Sequence, residues 1–185
     1  MKQLKMKFAK NYKKQFGGEL LIGKRKTQRP LSTKKPIHLV LRSDTVKLFT
    51  PYNSSLEKLI YRTAGRFQIR IYDLALNWNH IHAVIMINDR KDYVAFIRAL
   101  TSLISTKIKS KLKNLTTVFT LRPFTRILEW GRDFKSTQDY VYLNQLEAFG
   151  YIKRKKSNHK KAPLGQLNRV TETRKLILWF HEKFG

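Results

Sequence analysis

The chain has 185 residues, of which 42% are hydrophobic, which is enough to bury the core of one domain. Its 39 Lys and Arg residues against 12 Asp and Glu residues give a formal net charge of +27, which indicates a polyanionic partner and favours nucleic acid. The absence of cysteine excludes disulfides and thiolate metal sites, and no apolar run approaches the roughly 20 residues that span a bilayer. We therefore expect a cytoplasmic protein, associated with nucleic acid (the nucleoid, if the source is bacterial), that does not contact a membrane.

Residues 1–35 are predicted to form a basic arm. They carry twelve basic residues and one acid, Glu19, and glycines and a proline interrupt any regular pattern. Such a segment is ordered in part, or becomes ordered on binding nucleic acid. The alternative is a solvated tail that only improves solubility.

Four strands are predicted in the centre of the chain, from apolar runs or from strict alternation of apolar and polar residues. They cover residues 36–42, 67–72, 80–87 and 126–130. A short polar connection around Asn77 separates the second strand from the third, so these two strands are expected to form an antiparallel hairpin.

Three helices are predicted between and after these strands. They run from a Ser-x-x-Glu capping box at Ser54 to a stop at Gly65, from Tyr93 to Ile108 along one apolar stripe, and from a cap at Ser136 or Thr137 to about Phe149. The order β-α-β-β-α-β-α predicts an α+β fold, a ferredoxin-like antiparallel sheet with helices packed on it.

The chain is expected to divide into three parts. Residues 1–35 form the basic arm, residues 36–152 form the α+β domain, and residues 153–185 form a basic loop followed by an amphipathic C-terminal helix. The loop begins with four consecutive cations, Lys153, Arg154, Lys155 and Lys156. The helix is predicted from the spacing of its apolar residues, which are Val170, Leu176, Ile177, Trp179 and Phe180.

The third predicted strand opens with two histidines. Because side chains alternate along a strand, His80 and His82 point to one face and Ile81 points to the other. Two imidazoles side by side on a rigid strand are a candidate pair of metal ligands. Taken alone, the pattern also fits ordinary strand histidines.

The third predicted helix places polar residues away from its expected core face. At 100° per residue, Tyr142, Leu146 and Phe149 cluster on one side, which is the predicted core face. Tyr140 and Asn144 lie on the opposite side one turn apart, with Glu147 continuing that stripe. This arrangement indicates either a functional tyrosine or a surface tyrosine that covers the sheet edge.

Together these segments resemble a known family. Asn79-His80-Ile81-His82-Ala83-Val84 resembles the His-hydrophobic-His signature of the HUH single-strand DNA nucleases, and Tyr140-Val141-Tyr142-Leu143-Asn144-Gln145 resembles the tyrosine-bearing helix of single-tyrosine transposases. Arg29-Pro30-Leu31-Ser32-Thr33-Lys34 and the strand at 36–43 also look like the start of the domain in some members. Over roughly residues 17–152, the chain is most similar to the REP-associated tyrosine transposases, which implies the HUH nuclease fold.

The resemblance implies a metal-dependent transposase that cuts single-stranded, hairpin-bearing DNA. His80, His82 and an amide oxygen would hold Mg²⁺ or Mn²⁺, for which imidazole and oxygen ligands are suited, although zinc is also possible. Tyr140 would attack the phosphodiester, leaving a 5′-phosphotyrosine and a free 3′-OH. Relatives usually carry Pro where this chain has Gln145, so the amide ligand is Asn144 or Gln145, and helix phase favours Asn144. Relatives also carry Met-Pro where this chain has Asn77-Trp78.

The same resemblance implies contacts with DNA outside the reacting centre. The expected DNA-binding residues are Lys34, Lys35, Arg42, Trp78, Lys153, Arg154, Lys155 and Lys156. Tyr72 and Trp130 could also stack on bases, with core packing as the alternative. The chain is expected to be a monomer or a homodimer. Two other functions remain open: a domesticated, non-catalytic nucleic-acid-binding protein of the same fold, and a rolling-circle replication initiator or relaxase.

Overall fold

The computed structural model describes residues 14–25, 27–43, 48–49, 54–112 and 115–153. Over these residues the chain forms five strands and three α-helices. In chain order they are β1 (Gln15–Phe16), β2 (Ile37–Arg42), α1 (Ser54–Arg66), β3 (Arg70–Leu76), β4 (His80–Met86), α2 (Arg90–Lys109), β5 (Phe124–Ile127) and α3 (Arg132–Ala148). A single 3₁₀ turn at Gly18–Leu21 follows β1. None of the helices in these ranges is long and apolar enough to cross a membrane.

The five strands form one sheet in the order β1-β5-β2-β4-β3, and every neighbouring pair is antiparallel. Without the two-residue edge strand β1, this is the strand order of a ferredoxin-like β-α-β-β-α-β fold. The predicted α+β class and the predicted hairpin between the second and third central strands, here β3 and β4, are confirmed.

One face of the sheet carries the main core. Side chains of β2 and β4 that point to this face pack against α1 and α2, which supplies most of the buried apolar surface. The fully buried members include Ile37, Leu39 and Leu41 of β2, Ile60 of α1, and Phe96, Leu100 and Ile104 of α2. This layer holds the strands in place, and so it also fixes the positions of the side chains on the opposite face of the sheet.

The opposite face packs against α3 through a much smaller cluster, formed by Ala75, Val84, Leu128 and Val141. Strand alternation and register place several polar side chains on this face as well. His38 of β2 lies opposite Val84 of β4, and Arg42 lies opposite His80. The sheet face under α3 is therefore the face on which the histidines of β2 and β4 meet.

Two predicted strands are shifted in the structure. The strand expected at 67–72 is β3, because α1 continues through Gly65 to Arg66 and the next two residues form a turn in which Gln68 has a φ of 54°. A bulge between Ile71 and Asp73 also breaks the alternation that the prediction relied on. The strand expected at 126–130 is β5, which begins and ends earlier.

The predicted cap of the third helix is wrong. The helix begins at Arg132, directly after Gly131, which has a φ of 90°. The Asp133 carboxylate accepts the backbone N–H of Glu129 at 3.0 Å, which closes the turn from β5 into the helix. Thr137 lies inside the helix, where its hydroxyl donates to the Asp133 carbonyl at 2.8 Å. Neither Ser136 nor Thr137 therefore caps the helix.

Part of the predicted basic arm packs against the sheet. β1 pairs with β5, and the Gly18 N–H donates to the Arg122 carbonyl at 2.9 Å. The Trp130 indole N–H donates to the Lys34 carbonyl, also at 2.9 Å. β1 thus adds a two-residue edge to the sheet, whereas residues 1–13 of the arm and the predicted C-terminal helix lie outside the described residues.

Candidate active site

The two histidines of β4 lie side by side on the face under α3. The ring centroids of His80 and His82 are 4.7 Å apart, and the ring planes are nearly perpendicular. His82 is buried and His80 is half-buried. The strand pattern predicted this shared face, but the two rings have different partners.

His82 is paired with a third histidine. The Nε2 atom of His38 lies 3.0 Å from Nδ1 of His82, and the two rings are stacked with centroids 5.2 Å apart. Burial, with a further contribution from the charge of Arg126, lowers the pKa of His38 to about 4. His38 is therefore neutral near pH 7 and can hold His82 by a hydrogen bond through Nδ1, so a metal at His82 would be bound through Nε2.

His80 is held by two asparagines of the β3–β4 turn. Its Nε2 atom lies 2.8 Å from Asn77 Nδ2, and its Nδ1 atom lies 2.7 Å from Asn79 Oδ1. The amide of Asn77 donates to Nε2, so Nδ1 carries the ring proton and donates to Asn79. A metal at Nε2 would have to replace the amide group of Asn77.

The side-chain oxygen of Asn77 would reach a cation beside His80 only if the carboxamide rotated. Asn77 Oδ1 is buried and has no hydrogen-bond partner within the described part of the chain. Rotation of the carboxamide by half a turn would bring this oxygen to the side of His80 Nε2. A buried oxygen beside an imidazole is a donor set that Mn²⁺ and Mg²⁺ accept. Asn77 is thus an additional candidate ligand that the sequence prediction missed.

Tyr140 of α3 lies directly above the paired histidines. Its ring makes edge contacts with His38 and His82, with centroid distances of 6.1 and 5.5 Å. The side chain is 43% exposed. The phenol is therefore within reach of both the histidines and a macromolecular substrate in solvent.

The predicted core face of the third helix is correct only at Leu146, which is buried. The stripe that faces the sheet is Thr137, Val141 and Asn144, all of them buried, whereas Tyr142 is only half-buried. Asn144 therefore does not lie opposite the core, although it does lie one turn from Tyr140, as predicted. Its Nδ2 donates to the Tyr140 carbonyl at 2.7 Å. Of the three apolar residues assigned to the core, Leu146 is buried and Tyr142 and Phe149 are half-buried, whereas the stripe facing the sheet contains one apolar and two polar side chains.

Three polar contacts fix the position of α3 over the sheet. On one side, Arg126 of β5 donates to Asp133 at 2.9 Å and to Thr137 at 2.8 Å. On the other side, Gln138 Nε2 donates to Asp73 of β3 at 2.8 Å. Tyr140 follows Gln138 by two residues, so these contacts also determine where its phenol lies.

The residues predicted to bind DNA near the histidines are on the surface. Arg42 lies opposite His80 in the β2–β4 register and forms an exposed ion pair with Glu19 at 2.9 Å. Trp78 lies in the β3–β4 turn and is 43% exposed. Exposed ion pairs contribute little stability, so Arg42 can exchange Glu19 for a phosphate at small cost.

The other predicted DNA-binding residues lie farther from the histidines or outside the described residues. Lys34 and Lys35 precede β2, at the end opposite Arg42, and Lys35 forms an ion pair with Glu129 at 2.7 Å. Lys153 is exposed. The remaining three, Arg154, Lys155 and Lys156, lie outside the described residues.

The two aromatic residues considered for base stacking pack against each other. Tyr72 lies edge-on to Trp130 and to Phe134, with centroids 6.1 and 5.2 Å away, and Trp130 lies 5.0 Å from Phe134. This cluster lies at the start of α3. Packing rather than DNA stacking therefore accounts for Tyr72, while Trp130 remains half-exposed.

Across the described ranges, no group of three or more His, Cys, Asp or Glu side chains is arranged to hold a metal ion. A metal here would depend on the two histidines of β4 and on amide oxygens. The burial of Asn144 favours this residue over half-buried Gln145 as the ligand from α3.

The protein has an α+β fold with a ferredoxin-like antiparallel sheet. On this sheet a histidine pair lies beneath a helix that carries a half-exposed tyrosine. The chain belongs to the transposase family described as "Transposase IS200 like", which it matches over residues 32–138. Its fold matches that of a REP-associated tyrosine transposase whose structure was solved bound to a REP hairpin. That match has a TM-score of 0.54 and 15% identity, and covers 70% of this chain and 77% of the other.

A second solved structure, assigned as a transposase from Deinococcus radiodurans, matches with a TM-score of 0.42 and 14% identity. It covers 65% of this chain and 98% of the other. The comparison with curated proteins gave no match.

Proposed function

We propose that this protein is a metal-dependent, single-stranded DNA endonuclease and strand transferase of the HUH type that acts on hairpin-bearing DNA. The observation that carries the proposal is the position of the Tyr140 ring, half-exposed and edge-on to His82 at 5.5 Å. Family membership supports transposition as the biological setting. The solved REP-associated relative was bound to a REP hairpin, which supports a hairpin as the DNA element here.

Tyr140 is the proposed nucleophile. Its phenol oxygen attacks the phosphorus, the bond from phosphorus to the 3′ oxygen breaks, and the products are a 5′-phosphotyrosine and a free 3′-OH. The phenol proton is lost and the leaving 3′ oxygen gains one, so no net charge is created. A neutral phenol is a weak nucleophile, so Tyr140 requires activation. The ester retains the energy of the broken bond, so a 3′-OH can attack it and rejoin strands.

His80, His82 and Asn144 are the proposed ligands of Mg²⁺ or Mn²⁺, with Gln145 as the alternative to Asn144. When bound, the ion neutralises phosphate charge and orients the phosphodiester for in-line attack. The chain contributes the fixed geometry: His38 holds His82 through Nδ1, and the bond from Asn144 Nδ2 to the Tyr140 carbonyl orients the carboxamide. Rotation of the Asn77 carboxamide would turn its buried oxygen, which has no hydrogen-bond partner among the described residues, toward this ion.

The DNA is proposed to lie across the face that carries Tyr140. Arg42 and Trp78 lie next to His80, where a phosphate and an unpaired base could be held. Lys34, Lys35 and the cations from Lys153 to Lys156 would bind the backbone farther away, drawing on the net charge of +27. Because Tyr140 contacts His82 of its own chain, one subunit holds the whole proposed site. This arrangement supports a monomer, although a homodimer would be compatible with it.

Covalent adduct formation tests the proposal. Purified protein is mixed with a hairpin DNA carrying single-stranded flanks, with Mn²⁺ or Mg²⁺, and the products are separated on a denaturing gel. We expect a protein–DNA adduct that requires the metal and disappears in Tyr140→Phe, while DNA binding is retained. Tyr151→Phe, which changes an exposed tyrosine just beyond the end of α3, is the matched control. An adduct that survives in Tyr140→Phe would contradict the assignment.

A second candidate is a non-catalytic DNA-binding protein of the same fold. The observation that favours it is that both ring nitrogens of His80 are already hydrogen-bonded, to Asn77 and Asn79. This function predicts tight, salt-sensitive DNA binding that needs no metal and is unchanged when His80 and His82 are both replaced by Ala. It also predicts that no adduct forms on any hairpin.

A further inference from the structure

A large cavity lies on the side of the sheet away from Tyr140. Its volume is about 1180 Å³, and it opens between residues 14–31 and the first residue of α2. Phe16, Leu31 and Ile127 contribute apolar walls. Because side chains alternate along β5, Ile127 points to the face opposite Arg126, which contacts α3. The cavity is therefore separate from the candidate active site.

The cavity is strongly cationic. Five basic residues line it, namely Lys14, Lys24, Arg25, Arg29 and Arg90. Among its described lining residues there is no Asp or Glu. Lys14 forms an ion pair with Glu129 outside the wall at 3.0 Å, but the other four cations have no carboxylate in the cavity wall. Such a concave, positive surface attracts and concentrates anions.

Arg29 is one of the lining cations, and three contacts hold it in place. Its guanidinium donates to the Thr125 hydroxyl at 2.7 Å and lies over the Phe16 ring, 4.7 Å from the centroid. Its backbone carbonyl accepts a hydrogen bond from Arg90 at 2.6 Å. These contacts hold Arg29 close to Arg90, the first residue of α2.

The environment of Arg29 disfavours its own charge. Burial lowers the pKa of Arg29, and the nearby charges of Arg122 and Arg90 lower it further, while Tyr93 partly opposes them. A bound anion would relieve this repulsion, since it would bring negative charge to the place where the cations meet.

The wall of the cavity is also connected to the active-site side of the sheet. Leu20 and Leu21 of the 3₁₀ turn line the cavity. In the same turn, Glu19 forms its ion pair with Arg42, which lies opposite His80. A DNA strand that left the histidine side near Arg42 would pass this turn, whose next two residues line the cavity.

We propose that this cavity binds a short single-stranded segment of DNA adjoining the hairpin, with phosphates at its cations and a base against its apolar wall. The inference rests on the proposed function, because it assumes that DNA is the substrate. The volume exceeds the roughly 300–1,000 Å³ of a typical small-molecule site, so it accommodates more than one nucleotide. Phe16 and the aliphatic side chains provide the apolar contact that an unpaired base requires.

A charge-matched pair of double variants tests the proposal. Lys24→Ala with Arg25→Ala removes two exposed cations from the cavity, and Lys58→Ala with Arg62→Ala removes two exposed cations from α1. Binding is measured by fluorescence anisotropy over a range of salt, using the hairpin alone and the hairpin with about eight unpaired nucleotides on its 5′ or its 3′ side. Thermal melting confirms that both variants are folded.

With one of the flanked hairpins, we expect the cavity variant to lose about tenfold in affinity and the α1 variant about twofold. The slope of log affinity against log salt should fall by about 1.4 in the cavity variant, because two single-strand phosphate contacts are lost. With the hairpin alone, the two variants should bind equally. This pattern would place the flank, and not the duplex, in the cavity.

Three results would overturn the proposal. The first is an equal loss by both variants on the flanked hairpins, which would mean only general electrostatic attraction. The second is the same excess loss on the hairpin without flanks. The third is a rise in melting temperature with inorganic phosphate that the cavity variant abolishes while flanked DNA binds normally, which would assign the cavity to a free anion. If the parent protein forms no adduct, the proposed reaction is contradicted, but the binding comparisons still test whether the cavity holds single-stranded DNA.

Discussion

The Nε2 atom of His38 lies 3.0 Å from Nδ1 of His82, and this pair joins strands β2 and β4 directly beneath Tyr140. A buried imidazole that pairs with one nitrogen of a metal ligand fixes the orientation of the ligand and the nitrogen that faces the metal. His38 does not follow from the histidine motif, but the structure places it where it controls both the proposed ligand and the environment of the proposed nucleophile.

Replacing His38 should weaken metal binding without removing a ligand. We expect His38→Ala to lower Mn²⁺ affinity about 10–100-fold, because His82 loses the group that orients it. His38→Gln keeps a hydrogen-bonding side chain and should recover part of the loss. Mn²⁺ affinity is measured by electron paramagnetic resonance or calorimetry in the absence of DNA. Equal Mn²⁺ affinities for the parent and His38→Ala would mean that His38 has no role in metal binding.

The third ligand can be assigned by comparing neighbours on α3. Asn144 is buried and half-buried Gln145 follows it, so only Asn144 lies on the stripe that faces the sheet. Asn144→Ala should lower Mn²⁺ affinity by at least about tenfold, whereas Gln145→Ala should change it less than about twofold. The same titration without DNA measures both. The reverse order of effects would assign the ligand to Gln145.

Two glycine substitutions should have opposite effects on stability. Gly17 has a φ of 94°, and a Cβ atom there would overlap the carbonyl oxygen of Pro123, so Gly17→Ala should destabilise the β1–β5 edge by about 1–3 kcal/mol. Gly65 lies inside α1 with open space around it, so Gly65→Ala should stabilise the protein by about 0.5–1 kcal/mol. Urea unfolding measures both. A neutral Gly17→Ala would show that β1 contributes nothing to the folded state.

The buried hydroxyl of Tyr93 should make the protein less stable at alkaline pH. Burial raises the pKa of Tyr93 to about 12, although the charge of Arg29 partly opposes this. In the unfolded chain the phenol ionises near pH 10, so between pH 10 and 12 the unfolded state binds fewer protons than the folded state. The free energy of unfolding therefore falls as pH rises, by about 1.4 kcal/mol per pH unit from this group at most.

Tyr93→Phe isolates that effect. Its hydroxyl has no hydrogen-bond partner among the described residues, so at pH 8 the variant should be within about 1 kcal/mol of the parent. Between pH 10 and 12 the variant should become progressively the more stable of the two, because lysine titration is common to both. Urea unfolding at pH 8, 10 and 11 measures the difference. A constant difference across this range would mean that Tyr93 ionises normally in the folded protein.

The features predicted correctly from the sequence are those that depend on local periodicity. A period of two places His80 and His82 on one face wherever the strand lies, and the order of strands and helices led to the ferredoxin-like fold. The two strand shifts have local causes as well, since the positive φ of Gln68 and the bulge near Tyr72 are not visible in an alternating pattern.

The sequence by itself determined the fold class, the histidine pair and the one-turn spacing of Tyr140 and Asn144. Only the tertiary structure decided that Asn144 faces the sheet, that His38 meets His82, that Asn77 reaches His80, and that residues 14–31 enclose a cationic cavity. The physical reason is that helix rotation and strand register are set by packing across the whole sheet. No local pattern reports which strands become neighbours or which stripe of a helix they bury.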